Sequence, residues 1–290
     1  MTSNGTRYDL AQRRARSARR CASSYLVPFD APTSPGAPLK PDPHTRRAPS
    51  PVRHPALVLS CEHAGNSVPR AFRSRFQPPP RVLASHRGHD PGTEELGRIL
   101  AAATGAPLFV NRVTRLLVDA NRSADHPELL SRWAQALPAD LRARAVDEVW
   151  TPHRAAVSAA VHSAAPTVHI GVHSFTPRLR GVTRDVDVGF LYDPRRAFEA
   201  RVVAAWQRRL AAREPRLRLA RNRPYRGTDD GLTTALRAEL PDASYAGIEL
   251  EVSQRFPRAS GARARWLRLA AHLAETLAEV LAGSRAERAQ

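Results

Sequence analysis

From Ala56 onward the chain alternates short apolar runs with longer stretches whose apolar residues recur at helical spacing. Ala56-Leu57-Val58-Leu59-Ser60-Cys61 is one such run and reads as a buried strand. Thr93 to Ala103 has the helical period, and Gly105 stops it. Leu108 to Val110 and Leu116 to Asp119 are strand-like. Pro138 to Ala165 reads as one long helical stretch, with Pro152 as a kink or break because proline lacks the N–H and crowds the preceding turn. Thr167 to His173 and Val186 to Tyr192 are apolar strands, Ala197 to Arg213 is helical, and Leu217 to Ala220 is a short strand. Thr228 to Glu239 reads as a helix entered through Asp229-Asp230-Gly231. Ala246 to Val252 is a strand, and Ala259 to Ala282 is a closing helix. This alternation predicts an α/β fold, an open sheet with helices on both faces. The sequence contains no internal repeat.

Residues 1–55 break the pattern. They hold nine prolines and no apolar periodicity, with a basic cluster from Arg13 to Arg20 and a Pro-rich stretch from Ala31 to Pro55. The composition predicts a disordered Arg/Pro-rich extension, followed by a single α/β domain over residues 56–290. A start placed too far upstream, or a basic tether to an acidic surface, would give the same segment.

The formal charge of +18 raises the question of nucleic acid. Residues 1–55 carry ten Lys/Arg against three Asp, so much of the surplus sits outside the predicted domain. Forty-four of the 45 basic residues are Arg, spread over helices that also carry Glu and Asp. That distribution reads as compositional bias; a dedicated nucleic-acid binder shows a basic stripe or a recognisable motif. Two cysteines, Cys21 and Cys61, are too few for a disulfide framework or a Cys-based metal site. No apolar run approaches the roughly 18 residues of a membrane span, and the N-terminus lacks the apolar core of a secretory signal. The cytoplasm is the expected compartment, and a monomer or small homo-oligomer the expected state.

In open α/β sheets, ligands sit beyond the carboxyl ends of strands. The first strand runs into Glu62-His63, a later one ends in His173-Ser174, and the last carries Glu249 and Glu251. A loop between them carries His86, His89 and Asp90. Two His with carboxylates at strand ends form the donor set of an N/O-ligated zinc site, which takes three protein ligands and leaves a position open. A nearby carboxylate can then take a proton from water. Each piece also has a plainer reading: a strand-end His caps, and Asp90 before Pro91-Gly92 starts a turn. Glu249 and Glu251 are two apart and share a face. Packed under a helix, both would be costly to bury; at a sheet edge they would face solvent. Asn121-Arg122 and the loop Arg221-Asn222-Arg223-Pro224-Tyr225-Arg226-Gly227 supply forks for carboxylates, unless these Arg belong to the general excess. There is no Gly-x-Ser-x-Gly elbow, so Ser60 and Ser174 are not read as nucleophiles. His153 faces either a pocket or the core, and His162 the surface or the core.

Six segments in order carry a resemblance. They are Cys61-Glu62-His63-Ala64-Gly65-Asn66 with Val68-Pro69, His89-Asp90-Pro91-Gly92, Asp119-Ala120-Asn121-Arg122-Ser123, His173-Ser174, Asn222-Arg223-Pro224-Tyr225-Arg226-Gly227 and Glu249-Leu250-Glu251-Val252. From about Ala56 to Phe256 the chain resembles the N-formylglutamate amidohydrolase family. The resemblance implies a zinc-dependent hydrolase related to the zinc carboxypeptidases, with their open mixed sheet of the phosphorylase/hydrolase type. It implies His63 and His173 as metal ligands, Asn121 and Arg122 as grips on a substrate carboxylate, and Glu251 as general base, with Glu249 as the other candidate. Arg223, Tyr225, Arg226 and Ser174 complete the implied substrate contacts. The carboxypeptidase pattern places a Glu three residues after the first ligand. Here that residue is Asn66, so the third ligand comes from elsewhere: Asp90 first, Glu62 second.

The resulting expectation is hydrolysis of an N-acyl amide on an acidic amino acid such as N-formyl-glutamate, with Zn²⁺ or another divalent metal such as manganese or iron. A divergent branch would cleave another N-acyl amino acid or a peptide. A non-enzymatic alternative is a basic nucleic-acid-binding protein acting through its tail. Deleting residues 1–55 separates these readings, since the enzyme keeps its activity and the binder loses its ligand.

Overall fold

The computed structural model describes residues 55–257 and 261–286; the predicted extension and Cys21 lie outside that range. The strands are β1 (Ala56–Cys61), β2 (Leu108–Val110), β3 (Thr167–Phe175), β4 (Arg178–Leu179), β5 (Val182–Thr183), β6 (Val188–Leu191), β7 (Leu219–Arg221) and β8 (Tyr245–Ser253). Six of them form one sheet in the order β2-β1-β3-β8-β6-β7, and β4 and β5 pair as a separate hairpin. β2, β1, β3 and β8 run parallel. β6 is antiparallel to β8 and carries β7 parallel to itself. The sheet is mixed, as expected.

The helices are α1 (Pro80–Leu83), α2 (Thr93–Thr104), α3 (Arg132–Gln135), α4 (Ala139–Ala145), α5 (Thr151–His162), α6 (Ala197–Arg213), α7 (Leu232–Glu239) and α8 (Arg263–Ala286). Period-2 alternation divides the sheet into two faces. Leu57, Leu59, Cys61, Val168, Ile170, Val172, Ala246, Ile248, Leu250 and Val252 form one face, apolar throughout and packed by residues of α2, α6 and α8. The opposite face is apolar only near the strand starts, where Val58, Phe109 and Tyr245 meet Val157 and Val161 of α5 and Leu232 and Leu236 of α7. His169 lies level with Val58 on that face, and further along the same alternation adds Ser60, His173, Glu249 and Glu251. The residues that would be expensive to bury are thus gathered at the carboxyl end of one face.

The β4–β5 hairpin, α1 and α3 are not marked by the sequence, the closing helix starts at Arg263 and not at Ala259, and three further differences have a local cause. Leu116 to Asp119 is not a strand: residues 115–117 form a turn, with Thr114 accepting from the N–H of Leu116 and Leu117. Leu116, Leu117 and Val118 are buried by a local cluster with Phe72, Phe76, Leu129 and Leu137 instead of by the sheet. Around Pro152 the helical stretch neither breaks nor ends. A π-helical segment, Val146–Trp150, precedes α5, and Pro152 falls in the first turn of α5, where a missing N–H costs least. Helix α7 starts at Leu232 and not at Thr228, because Asp229 and Asp230 are occupied in side-chain hydrogen bonds of the preceding turn.

Two ionisable groups, His169 and Tyr245, are fully buried together on this face. His169 is fully buried, with Nε2 2.7 Å from Ser60 Oγ and Nδ1 2.9 Å from the Tyr245 hydroxyl. Burial lowers its pKa from 6.5 to about 4. Between those values the unfolded chain takes up a proton that the folded chain refuses. The stabilisation is therefore complete above pH 6.5 and is lost as pH falls towards 4, by on the order of 3 kcal/mol. Denaturant titrations across that window should show a pH-dependent gap between wild type and His169→Gln. Parallel curves would contradict the assignment.

Candidate active site

His63 follows β1 by two residues in a turn held at several points. Its carbonyl accepts from the Asp90 N–H, Ala64 N–H donates to the Asn111 carbonyl, and Asn111 Nδ2 donates to the Glu62 carbonyl. Asp90 precedes α2, where Thr93 Oγ1 donates to its carbonyl. Gly92 between them has φ 86°, and a Cβ there would lie 2.6 Å from the Pro257 side chain, so this turn needs glycine. His173 sits near the end of β3, paired in register with Glu251 on β8.

These elements bring His63, Asp90 and His173 together. One ligand-capable atom from each lies within 4.8 Å of the others. Asp90 Oδ2 is 3.3 Å from His63 Nδ1 and 3.1 Å from His173 Nδ1. Both rings thus turn Nδ1 toward the shared carboxylate, and their Nε2 atoms are backed by other carboxylates. His63 Nε2 is hydrogen-bonded to Asp119 Oδ1 at 2.6 Å, and His173 Nε2 is in ion-pair contact with Glu62 Oε2 at 3.2 Å without hydrogen-bond geometry. A carboxylate behind a histidine fixes its tautomer and aims the other nitrogen, as in metal sites. Arg115 clamps Asp119 through Nε and Nη2 at 3.1 and 2.8 Å and reaches within 3.6 Å of Asp90. Glu62 is buried and also meets His153 Nε2 at 3.3 Å. Glu62 lies behind His173, outside the three-residue cluster. Asn66 donates to the Leu83 carbonyl and does not reach the site.

The electrostatics are those of a site with surplus negative charge. Burial alone would raise the carboxyls of Asp90, Asp119 and Glu62. Neighbouring histidines, with Arg115 for the two aspartates, hold all three well below the usual carboxylate range. Burial would likewise lower His173, but Asp90 and Glu62 push it well above its ordinary value, so positive charge is favoured at that spot. Glu251 is buried without an opposite charge of its own. Burial, with Asp90 and Glu249 adding, pushes it up to about 8 against the pull of His173. Its Oε2 has no hydrogen-bond partner among the described residues. Glu249 differs, since its Oε1 accepts from Asn121 Nδ2 at 3.0 Å and from Thr233 Oγ1 at 3.4 Å.

A cavity of about 600 Å³ opens on this cluster. His63, Asp90, His173, Ser174, Glu249, Glu251, Asn121, Arg122, Tyr225 and Arg226 all line it; Glu62 and Arg223 do not. The two polar ends of the Asn121 amide are engaged, with Oδ1 accepting from the Leu232 N–H and Nδ2 donating to Glu249. Arg122 donates to the Asp230 carbonyl, and its own carbonyl accepts from Trp150 Nε1. Ser174 Oγ donates to the Pro91 carbonyl and so ties β3 to the Asp90 turn. The Asn222–Gly227 loop is seated on β6: a Cβ at Gly189 would meet the Arg223 carbonyl at 2.1 Å, and one at Gly227 would meet Tyr192 N at 2.0 Å. That seat presents Tyr225, whose hydroxyl accepts from Arg184 at 2.9 Å. Arg223 is left exposed outside the cavity. His63, Asp90, His173, Glu249 and Glu251 therefore converge on the cavity, and Glu62 stands behind His173 outside it. Asp119 and Arg115 draw no site role from the sequence, because their part depends on contacts remote in the chain; His153, which the sequence leaves between a pocket and the core, is buried against Glu62. The apolar run ending in an Asp beside Asn-Arg was the one available signal.

The N-formylglutamate amidohydrolase family model matches residues 55–256. The chain belongs to this family. It is thus a hydrolase of amide bonds acting on a small molecule. Two solved structures share the fold of this family member. Gene product Atu2144 from Agrobacterium tumefaciens is 25% identical, with a TM-score of 0.66, over 80% of this chain and 92% of its own. The N-formylglutamate amidohydrolase from Ralstonia eutropha JMP134 is 19% identical, with a TM-score of 0.63, over 82% and 97%. No curated protein matches the chain in sequence. Among the described residues no helix is long and apolar enough to cross a membrane.

Proposed function

We propose that this family member is a metal-dependent amidohydrolase that removes an N-acyl group, formyl in the simplest case, from an acidic amino acid such as N-formyl-glutamate. The observation that carries the reading is the convergence of His63 Nδ1, His173 Nδ1 and Asp90 Oδ2 beside the partnerless Glu251 carboxylate, in a cavity that also presents Arg122. Two imidazoles and one carboxylate, with both remaining ring nitrogens backed by acids, fit a divalent cation, zinc foremost. When bound there, the cation supplies Lewis acidity to a water and to the acyl oxygen.

The chain's own residues do the rest. Glu251 accepts a proton from the attacking water and returns it to the leaving amide nitrogen as the C–N bond breaks, giving formate and the free amino acid. Its raised pKa suits a group that must both take and give a proton near neutrality. Glu249, held by Asn121 and Thr233, shapes the wall instead. Arg122 takes the substrate carboxylate, and Arg226 at the mouth takes a second one, with Tyr225 beside it. Asn121 acts by anchoring α7 and Glu249. Ser174 holds the Asp90 turn. A deformylase assay on N-formyl-glutamate tests the reading. Turnover abolished by chelation and restored by a divalent metal is expected; turnover indifferent to chelation would overturn it.

A further inference from the structure

The cavity continues past the three-residue cluster onto Trp133, and this arm carries charge that a single formylated amino acid leaves unused. Arg87 lies in the turn just before Asp90, and Arg132 opens α3. Their guanidinium carbons lie 5.5 and 4.4 Å from the centroid of the same Trp133 ring. All three side chains line the cavity that contains His63 and Glu251. Among the described residues neither guanidinium has a carboxylate within ion-pair distance. Some surface arginines do, such as Arg98 and Arg112, which share Glu94, while others, such as Arg75 and Arg223, do not; what sets Arg87 and Arg132 apart is that both lie over one ring inside the cavity.

The arm is held in place from both sides. Ser131 caps α3 by accepting from the Ala134 N–H and donates its hydroxyl to the Leu116 carbonyl. Asp119 N–H donates to the Leu129 carbonyl. On the other side, the Gly88 carbonyl accepts from Thr114 Oγ1 and from the Arg115 N–H. Both walls are therefore fixed to the 114–119 segment that carries Arg115 and Asp119. Two like charges stacked on one indole, with no carboxylate within ion-pair distance although Glu128 lines the same cavity, form a fork for an anion. The cavity volume of about 600 Å³ also falls in the range that encloses ligands far larger than N-formyl-glutamate.

Resting on the amidohydrolase reading above, we infer that Arg87, Arg132 and Trp133 form an anion subsite, and that the preferred substrate is an extended acid: an N-acyl amino acid bearing a further carboxylate, on the acyl group or on a second residue. Two probes distinguish these positions. N-succinyl-glutamate carries the extra carboxylate on the acyl side and is compared with N-butanoyl-glutamate. N-formyl-glutamyl-glutamate carries it on the amine side and is compared with its C-terminal amide. In wild-type holoenzyme, kcat/KM should favour at least one acid over its neutral counterpart by about 10-fold or more, the scale of charge-assisted hydrogen bonds. The Arg87→Ala/Arg132→Ala double variant should bring that ratio to within about twofold, and Arg132→Glu should lower it further. A wild-type ratio near one, or a ratio unmoved by both variants, overturns the subsite. Absence of turnover on every substrate would instead strike at the amidohydrolase reading. Calorimetric titration of the same compounds then judges the subsite alone, with tighter binding of an acid that the double variant loses as the supporting result and equal binding of acid and neutral compound as the refuting one.

Discussion

Changing Glu251 to Gln is expected to lower kcat on N-formyl-glutamate by roughly 10²–10⁴-fold, the usual contribution of a positioned acid–base group. KM and bound metal should change little, because the substitution keeps shape and removes only the exchangeable proton site. The argument rests on the difference between two carboxylates two residues apart. Glu249 has its oxygen held by Asn121 and Thr233, so its charge is already committed to structure. Glu251 is buried, its Oε2 meets no donor, and burial makes it a weaker acid. A group in that state binds and releases a proton readily. Glu249→Gln should cost less in kcat. Paired kinetics on the two variants check the assignment, and a larger kcat loss in Glu249→Gln would reverse it.

The second large effect concerns the third ligand. Asp90→Asn is expected to weaken metal binding well beyond the roughly 10–100-fold that loss of a backing carboxylate costs, whereas Glu62→Gln should fall within that range. Asp90 Oδ2 faces both histidine Nδ1 atoms, so its charge belongs to the donor set. Glu62 faces the far side of His173 and is shared with His153, so its removal loosens the ring without removing a donor. Competition titrations against a chromophoric chelator would measure both affinities. Equal losses in the two variants would mean that Glu62 enters the donor set as well.

The contrast between these carboxylates also shows where sequence reasoning ends. β1, β2 and α6 occupy the residues their apolar periods mark, and Gly105 caps α2 in a left-handed conformation as its position implies. The two-residue spacing of Glu249 and Glu251 and the strand-end placement of His173 were enough to gather them on one face. Leu116-Leu117-Val118 was not decidable, since a three-residue apolar run is buried equally well by a sheet or by a local cluster. Pro152 was readable as a disturbance of the helix but not as the π-helical segment that absorbs it. Within the site, Asp90 and Glu62 could both be named as acids near His63. Asp90 meets Nδ1 of both rings, Glu62 stands at His173 Nε2 and Asp119 at His63 Nε2; that division is set by ring orientation, which depends on Asp119, Arg115 and His153, brought in from distant parts of the chain. Asn121 illustrates the same limit: its neighbour Arg122 lines the cavity with it, but its amide is committed to Glu249 and the start of α7.

The central claim is that His63, Asp90 and His173 hold a metal on which amide hydrolysis depends. It is tested most directly by metal analysis of purified wild type and His63→Ala, run in parallel with N-formyl-glutamate deformylation. The account predicts about one divalent ion per wild-type chain, little metal in the variant, and turnover only in the metal-loaded wild type. A metal-free wild type that hydrolyses the substrate, or a His63→Ala variant that keeps both metal and turnover, would contradict it.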